Sequence, residues 1–124
     1  MNDRRPVFLN LMQLRHPVGS ITSIFHRITG VLLALGIPFA VCLFQLSLQS
    51  AETYARVASL FDGIGFRLPA ILFIWALAHH LLAGVRHLLS DIDIGSRLQR
   101  ARASAWMVNC SAVLIALLSA GALL

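Results

Sequence analysis

The chain has 124 residues, of which 58% are hydrophobic and only 12% are charged. Its mean hydropathy of +0.80 exceeds what a soluble domain of this size can hide in a core, which excludes that class and predicts a single membrane domain over residues 1–124, surrounded by lipid. The net charge of +5 comes from ten arginines, since the chain has no lysine, and no basic patch with interleaved aromatic residues indicates nucleic-acid binding.

Three uncharged apolar runs predict three membrane-spanning helices. The fold class expected is all-α, with the helices in an up-down-up bundle. The helices are expected at about 18–48, 66–89 and 103–124, joined by two loops at 49–67 and 90–102. The uncharged stretch 28–48 alone extends about 31 Å at 1.5 Å per residue, which is enough to cross the hydrocarbon core.

The arginines are distributed unevenly between the two ends of the predicted spans. Six lie in the N-terminal segment and the second loop, and two lie in the first loop: Arg4, Arg5, Arg15, Arg97, Arg100 and Arg102 against Arg56 and Arg67. Because arginine-rich flanks of membrane helices stay on the cytoplasmic side, we expect a cytoplasmic N-terminus and a periplasmic C-terminus. The predicted location is the inner (cytoplasmic) membrane of a bacterium, which the chain crosses several times.

The second span contains histidines, which are costly in hydrocarbon and usually face a cavity, a partner or a cofactor. His80 and His87 are seven residues apart and share one helical face, and Gly84 between them leaves space for a flat group. This pattern favours a metal cofactor, with haem as the leading candidate. A six-coordinate b haem needs two axial donors, and neither His79 nor His87 can reach the same iron as His80. The second imidazole must come from another helix, for which a partner subunit is the simplest donor.

The first span contains a second polar cluster, which the predicted topology places in the same cytoplasmic half of the membrane. Ser23, His26 and Arg27 stand at positions i, i+3 and i+4 of one helix. Neither span contains an acid that could pair with Arg27. An anionic group from outside the chain, such as a haem propionate or a polar quinone head, is therefore expected beside Arg27.

Each of these residues also has a structural interpretation. Arg27 could serve as an interfacial anchor, and Ser23 could hydrogen-bond the carbonyl four residues earlier in its own helix. His87 could form a surface ion pair with Asp91, and Arg86 could extend toward the headgroups as a topology residue. One of the two adjacent histidines is expected to pack against a neighbouring helix or a lipid headgroup.

Several short sequence motifs in this chain match a known pattern. The first span contains Ser23-Ile-Phe-His-Arg-Ile-Thr-Gly30, and the second contains His80-x-x-x-Gly84-Val-Arg-His87 followed by Asp91. The N-terminal segment adds Arg5-Pro6, Asn10-Leu11 and Arg15-His-Pro17. Together these strings resemble the cytochrome b subunit of succinate dehydrogenase, which is respiratory complex II. The third span carries no motif and matches that family only by hydropathy.

The resemblance implies roles for individual residues. His80 takes the position of the axial ligand of haem b. Ser23 and Arg27 match positions that line the ubiquinone pocket, and His26 with Arg27 matches positions that contact the haem propionates. Members of the family carry an aromatic residue where this chain has His79, and the spacing to Gly84 selects His80 as the ligand.

The resemblance also implies partners and a reaction. The family forms a four-subunit complex with a second membrane anchor, an iron–sulfur subunit and a flavoprotein with covalent FAD, and the second anchor would donate the other haem histidine. Electrons from succinate pass through FAD and three iron–sulfur clusters to ubiquinone, which joins the tricarboxylic acid cycle to the respiratory chain. This chain has no Gly-rich phosphate loop and no cysteine cluster, so it is expected to be a subunit that is not catalytic alone.

Two other functions remain open. An anchor subunit of a quinol:fumarate reductase shares the architecture and runs the chemistry in reverse, although the Ser-His-Arg string and a histidine count that suits one haem favour succinate oxidation. A small non-redox membrane protein, in which the histidines relay protons, needs carboxylates inside the membrane. The predicted spans contain none.

Overall fold

The computed structural model of the protein describes residues 17–124, in which it has four α-helices and no strand. They are α1 (Val18–Ser47), α2 (Ala51–Ser59), α3 (Ile64–Asp91) and α4 (Leu98–Leu123), and a 3₁₀ turn at Leu60–Asp62 joins α2 to α3. The helices α1, α3 and α4 are long and apolar enough to cross a membrane, which confirms the all-α fold and the three predicted spans. The arginines and motif residues before Pro17 lie outside the described residues.

The connection between the first two spans is not the expected loop, because it contains α2. The Ser50 hydroxyl accepts the Thr53 N–H at 3.1 Å, and the Thr53 hydroxyl accepts the Ser50 N–H at 3.0 Å. This reciprocal cap satisfies two donors at the start of the helix. Glu52 in the first turn of the helix forms an exposed ion pair of 2.6 Å with Arg56, one turn later. The loop prediction was wrong because a short amphipathic helix has no long apolar run that hydropathy could detect. The cap residues Ser50 and Thr53 are the sequence feature that indicates this helix.

The second connection is shorter than expected and covers only positions 92–97. Asp93 and Gly95 both have left-handed backbones, with φ of 61° and 79°, which turn the chain sharply between α3 and α4. The third span therefore begins at Leu98 and not near position 103. Arg100 and Arg102 lie in the first turns of α4, where they still flank the apolar part of that span.

Small side chains bring the three long helices together, with α3 in contact with both α1 and α4. The buried side chains are few and mostly small: Thr22, Thr29, Leu33, Ala76, His79, Ala83, Ala105, Val108 and Ala112. Small residues let membrane helices approach closely, so that packing and hydrogen bonds can replace the hydrophobic driving force that lipid removes. Most of the large apolar side chains point outward, toward the surroundings of the bundle.

Contacts at two glycines show that α1 and α3 pack in opposite directions. On α1 and α3, Gly19 lies beside Arg86, whereas Gly36 lies against the ring of Phe73. The space above Gly36 is fully used, because a Cβ there would lie 2.6 Å from Cε2 of Phe73. The beginning of α1 therefore meets the end of α3, and the polar clusters predicted on these two helices lie at the same end of the bundle.

Candidate functional site

Three imidazoles form a row between α1 and α3. His26 of α1 lies between His80 and His87 of α3, with ring-centroid distances of 4.2 Å to His80 and 5.2 Å to His87. The rings of His26 and His80 are almost parallel, at 10°. A Cβ on Gly84 would lie 3.4 Å from Nε2 of His26. The space at Gly84 was predicted to admit a flat group, and in this chain the imidazole of His26 lies there.

A second glycine allows the reciprocal approach from α3 to α1. A Cβ on Gly30 would lie 3.1 Å from Cε1 and 3.5 Å from Nδ1 of His80. The imidazole of His80 therefore packs against the backbone of α1 at the last residue of the Ser23–Gly30 string. Each helix contributes one glycine and receives the histidine of the other, which explains why both strings contain both residue types.

The hydrogen bonds of His80 determine which ring nitrogen is available. Nδ1 of His80 lies 3.1 Å from the carbonyl oxygen of His26 and 3.4 Å from the hydroxyl of Thr29. A backbone carbonyl can only accept, so Nδ1 carries the proton and donates it. Nε2 keeps its lone pair and has no hydrogen-bond partner within residues 17–124. This is the arrangement in which a histidine typically binds a metal.

The polar pair of the first span, Ser23 and Arg27, lies one turn apart on α1. Thr22 and Thr29 each donate to the carbonyl four residues earlier, at 3.0 and 2.8 Å, but the Ser23 hydroxyl makes no such bond. The back-bonded interpretation of Ser23 is therefore wrong. Arg27 is exposed and Ser23 is half-buried, and neither side chain has a hydrogen-bond or ion-pair partner in the described part of the chain. No described residue of the chain therefore competes with a ligand or a partner subunit for these two groups.

Two structural interpretations at the end of α3 are also wrong. Arg86 does not extend freely toward the headgroups, because its Nε donates to the Ser104 hydroxyl at 3.1 Å and its Nη2 donates to the Ala101 carbonyl at 3.2 Å. It joins α3 to the first turns of α4. His87 makes no ion pair with Asp91 between Pro17 and the C-terminus, and it contacts His26 instead.

One of the two adjacent histidines was expected to pack against a neighbouring helix, and both do: His80 against α1 and His79 against α4. The side chain of His79 is only 1% exposed, and Nε2 lies 3.1 Å from Oδ1 of Asn109 on α4. Sequence reasoning missed Asn109, since the third span carries no motif. Its signal is modest but visible, because Asn109 is the only amide side chain in α4 after Gln99.

Comparison with known proteins gives matches along almost the whole chain. The model of the family described as "Succinate dehydrogenase/Fumarate reductase transmembrane subunit" matches residues 1–119. Similar curated proteins include the succinate dehydrogenase cytochrome b556 subunit of Coxiella burnetii, which is 35% identical over 109 residues and covers 87% of either chain. The cytochrome b556 subunit of Paracoccus denitrificans is 33% identical over 116 residues, which are 93% of this chain and 88% of the relative. The cytochrome b560 subunit of Reclinomonas americana is 36% identical over 96 residues, which are 73% and 67% of the two chains.

Proposed function

Because the chain belongs to the succinate dehydrogenase/fumarate reductase transmembrane subunit family, we propose that it is the haem b-binding membrane anchor of a succinate:ubiquinone oxidoreductase. In this function it carries electrons from an iron–sulfur subunit to ubiquinone within the respiratory chain. Its curated relatives are named for succinate dehydrogenase, and this favours succinate oxidation over fumarate reduction.

The observation that carries this proposal is the hydrogen bonding of the His80 ring. With the Nδ1 proton donated to the His26 carbonyl, the Nε2 lone pair is left for an iron. A single imidazole with a free ring nitrogen suits a metal whose remaining ligands come mostly from a macrocycle. A b haem, when bound, supplies a one-electron redox centre with axial imidazoles.

The second axial imidazole is proposed to come from the second membrane anchor subunit. The His26 ring is stacked on the His80 ring, almost parallel at 4.2 Å, so these two imidazoles are in mutual contact and would not hold one haem between them. The position of His26 beside the proposed ligand suits a contact to a haem propionate instead. Arg27, which has no acid partner among the described residues, would neutralise propionate charge in the same place.

The ubiquinone site is proposed at Ser23 and Arg27. Quinone reduction adds two electrons and two protons, so its oxygens need hydrogen-bond donors that become stronger as negative charge develops. Ser23 and Arg27 would supply such donors from one face of α1, since the Ser23 hydroxyl has no hydrogen-bond partner between Pro17 and Leu124. Arg27 remains protonated throughout because guanidinium is a very weak acid. The transferred protons then come from water or from a group on a partner subunit.

The proposed partners are the subunits that would supply the parts of the reaction that this chain lacks. An iron–sulfur subunit would deliver electrons on the side of Ser23 and Arg27, and a flavoprotein with FAD would oxidise succinate. This chain would supply the anchor, half of the haem site and half of the quinone site as a single membrane domain over residues 1–124. The complex would lie in the bacterial inner membrane.

An up-down-up arrangement with the N-terminus in the cytoplasm is part of the proposal. The opposed order of the contacts along α1 and α3 supports the antiparallel packing of these two helices, and the distribution of arginines supports the orientation. A reporter that works only in the periplasm should be active when fused after Leu124. A reporter that works only in the cytoplasm should be active when inserted at Gly95, which lies in the turn between α3 and α4 and interrupts neither helix. An insertion next to Gly63, before α3, is the internal control and should report the periplasm. Activities on the opposite sides would reject both the orientation and the cytoplasmic placement of the quinone site.

The proposed function is tested by a reduced-minus-oxidised optical spectrum of the complex purified through its flavoprotein. We expect the narrow absorption band of a low-spin b haem, at about one haem per flavin. The same preparation from cells that lack this chain should show no such band. A complex that contains this chain and reduces ubiquinone with succinate, but shows no haem, would contradict the haem assignment.

A further inference from the structure

The three spans meet at one polar point, which no part of the proposed chemistry uses. Thr22 of α1 and His79 of α3 both reach Asn109 of α4, and their contacts to its Oδ1 are 3.2 and 3.1 Å. Thr22 and His79 are 0% and 1% exposed, and Asn109 is half-buried. Phe25 and Trp75 pack their rings against His79 at 5.8 and 5.7 Å. The surroundings of His79 are therefore apolar, and two of the three side chains are shielded from solvent.

Asn109 is more important to His79 than to Thr22. The Thr22 hydroxyl has a second acceptor in the Val18 carbonyl, at 3.0 Å. The other ring nitrogen of His79, Nδ1, is buried and has no hydrogen-bond partner within residues 17–124. Nε2 therefore makes the ring's one hydrogen bond in this part of the chain, to Asn109. Without that residue, a buried imidazole would be left with no partner, which is costly in an apolar environment.

The neighbouring histidine gives this bond a consequence for the proposed haem site. Adjacent residues of a helix point about 100° apart. His79 hydrogen-bonds a side chain of α4, whereas His80 hydrogen-bonds the backbone of α1 and packs against Gly30. A rotation of α3 by about the same angle would bring His79 toward the place at Gly30 that His80 occupies and would turn His80 away. Two imidazoles could thus compete for one position, and only the contacts of α3 decide between them.

We infer that Asn109 is a positioning residue that binds His79 and thereby makes His80 the imidazole presented to α1 and to the haem. The inference rests on the proposed function, because it takes His80 as the ligand. It gives the third span, which carries none of the recognised strings, a direct role in forming the haem site.

The test compares assembled complexes that carry Asn109→Leu, Cys110→Ala or the double change Asn109→Leu with His79→Phe. Leucine has the same branching and the same number of side-chain heavy atoms as asparagine but accepts no hydrogen bond. In Asn109→Leu the low-spin haem per flavin should fall at least about threefold, the change that one intramembrane hydrogen bond makes to an equilibrium, and the electron paramagnetic resonance signal that remains should shift. Cys110 is exposed on the next position of α4, so its change should leave both readouts unaltered.

The double change should restore the haem content and the signal, since it removes the competing imidazole together with its partner. If the complex with Asn109→Leu does not assemble, the test rests on the double change alone. A double-change complex that assembles and has the parental electron paramagnetic resonance signal then supports the inference. An unaltered signal in Asn109→Leu, or a double change that is as defective as the single one, overturns it. Loss of haem in His80→Ala with a normal Asn109→Leu signal would reject this inference alone, whereas retention of haem in His80→Ala would reject the proposed ligand.

Discussion

His80→Ala is expected to abolish the low-spin haem spectrum of the assembled complex. The change removes the ring that we propose as the iron ligand. Gly30 of α1, against which this ring packs, has no side chain that could take its place. The measurement is the reduced-minus-oxidised spectrum per mole of flavin, together with a pyridine extract that counts the haem retained. Quinone reduction need not stop, because the proposed quinone contacts lie on α1.

The matched control for this prediction is the adjacent histidine. His79→Gln keeps a donor near the position of Nε2, so the bond to Asn109 can form and the buried site keeps a polar partner. The haem spectrum of this variant should stay close to that of the parent. If His79→Gln loses the spectrum and His80→Ala retains it, the ligand has been assigned to the wrong histidine.

Ser23→Ala is expected to lower succinate:ubiquinone activity at least about tenfold, which corresponds to about 1.4 kcal/mol of transition-state stabilisation. The hydroxyl is not used by the described residues of its own chain, so its removal should cost little stability. Succinate oxidation with an artificial acceptor that takes electrons at the flavoprotein should persist, as should the haem spectrum. Ser23→Ala is a cleaner probe than a change of Arg27, which we also propose as a propionate contact.

Ser119→Ala provides a control for the loss of a hydroxyl from a membrane helix. The Ser119 hydroxyl donates to the Ile115 carbonyl of its own helix at 2.8 Å and lies near the C-terminus, away from the histidines. It should leave ubiquinone reduction unchanged. Equal loss of quinone and artificial-acceptor activities in Ser23→Ala, or loss of neither, counts against a quinone role for Ser23.

The spans could be predicted from the sequence because hydropathy acts on whole segments. The first helix was expected at about 18–48 and is found at Val18–Ser47, and the second extends two residues beyond the expected 66–89 at either end. The third begins earlier than expected because arginines at positions 100 and 102 were taken to mark a loop. A helix can continue through charged residues at a membrane surface, where their side chains reach water. Helix α2 was missed because its length and mixed composition resemble a loop.

The polar residues of α1 and α3 could be predicted as a group, but their contacts could not. Spacing on one helix identifies residues that share a face, whereas contacts between helices depend on how each helix is rotated. That Gly84 faces His26, and that Asn109 meets His79, follows only from the packed bundle. Arg86 shows the same limit, because its partners on α4 are distant in sequence. The roles proposed for Ser23, His26, Arg27 and His80 remain predictions for the experiments above.

The close packing at Gly30 has a consequence for the entropy of ligand binding. The imidazole of His80 lies against the Gly30 backbone, stacks on the ring of His26 and donates Nδ1–H to a carbonyl. These contacts restrict the rotamers of the ring when the chain folds, so binding of the proposed haem would cost little further side-chain entropy. The affinity for the proposed haem that is gained in this way depends on Gly30, because the missing side chain allows the His80 ring to pack against α1. A methyl group at position 30 would lie 3.1 Å from Cε1 of His80, so the ring would have to shift from the position in which we propose that it binds haem.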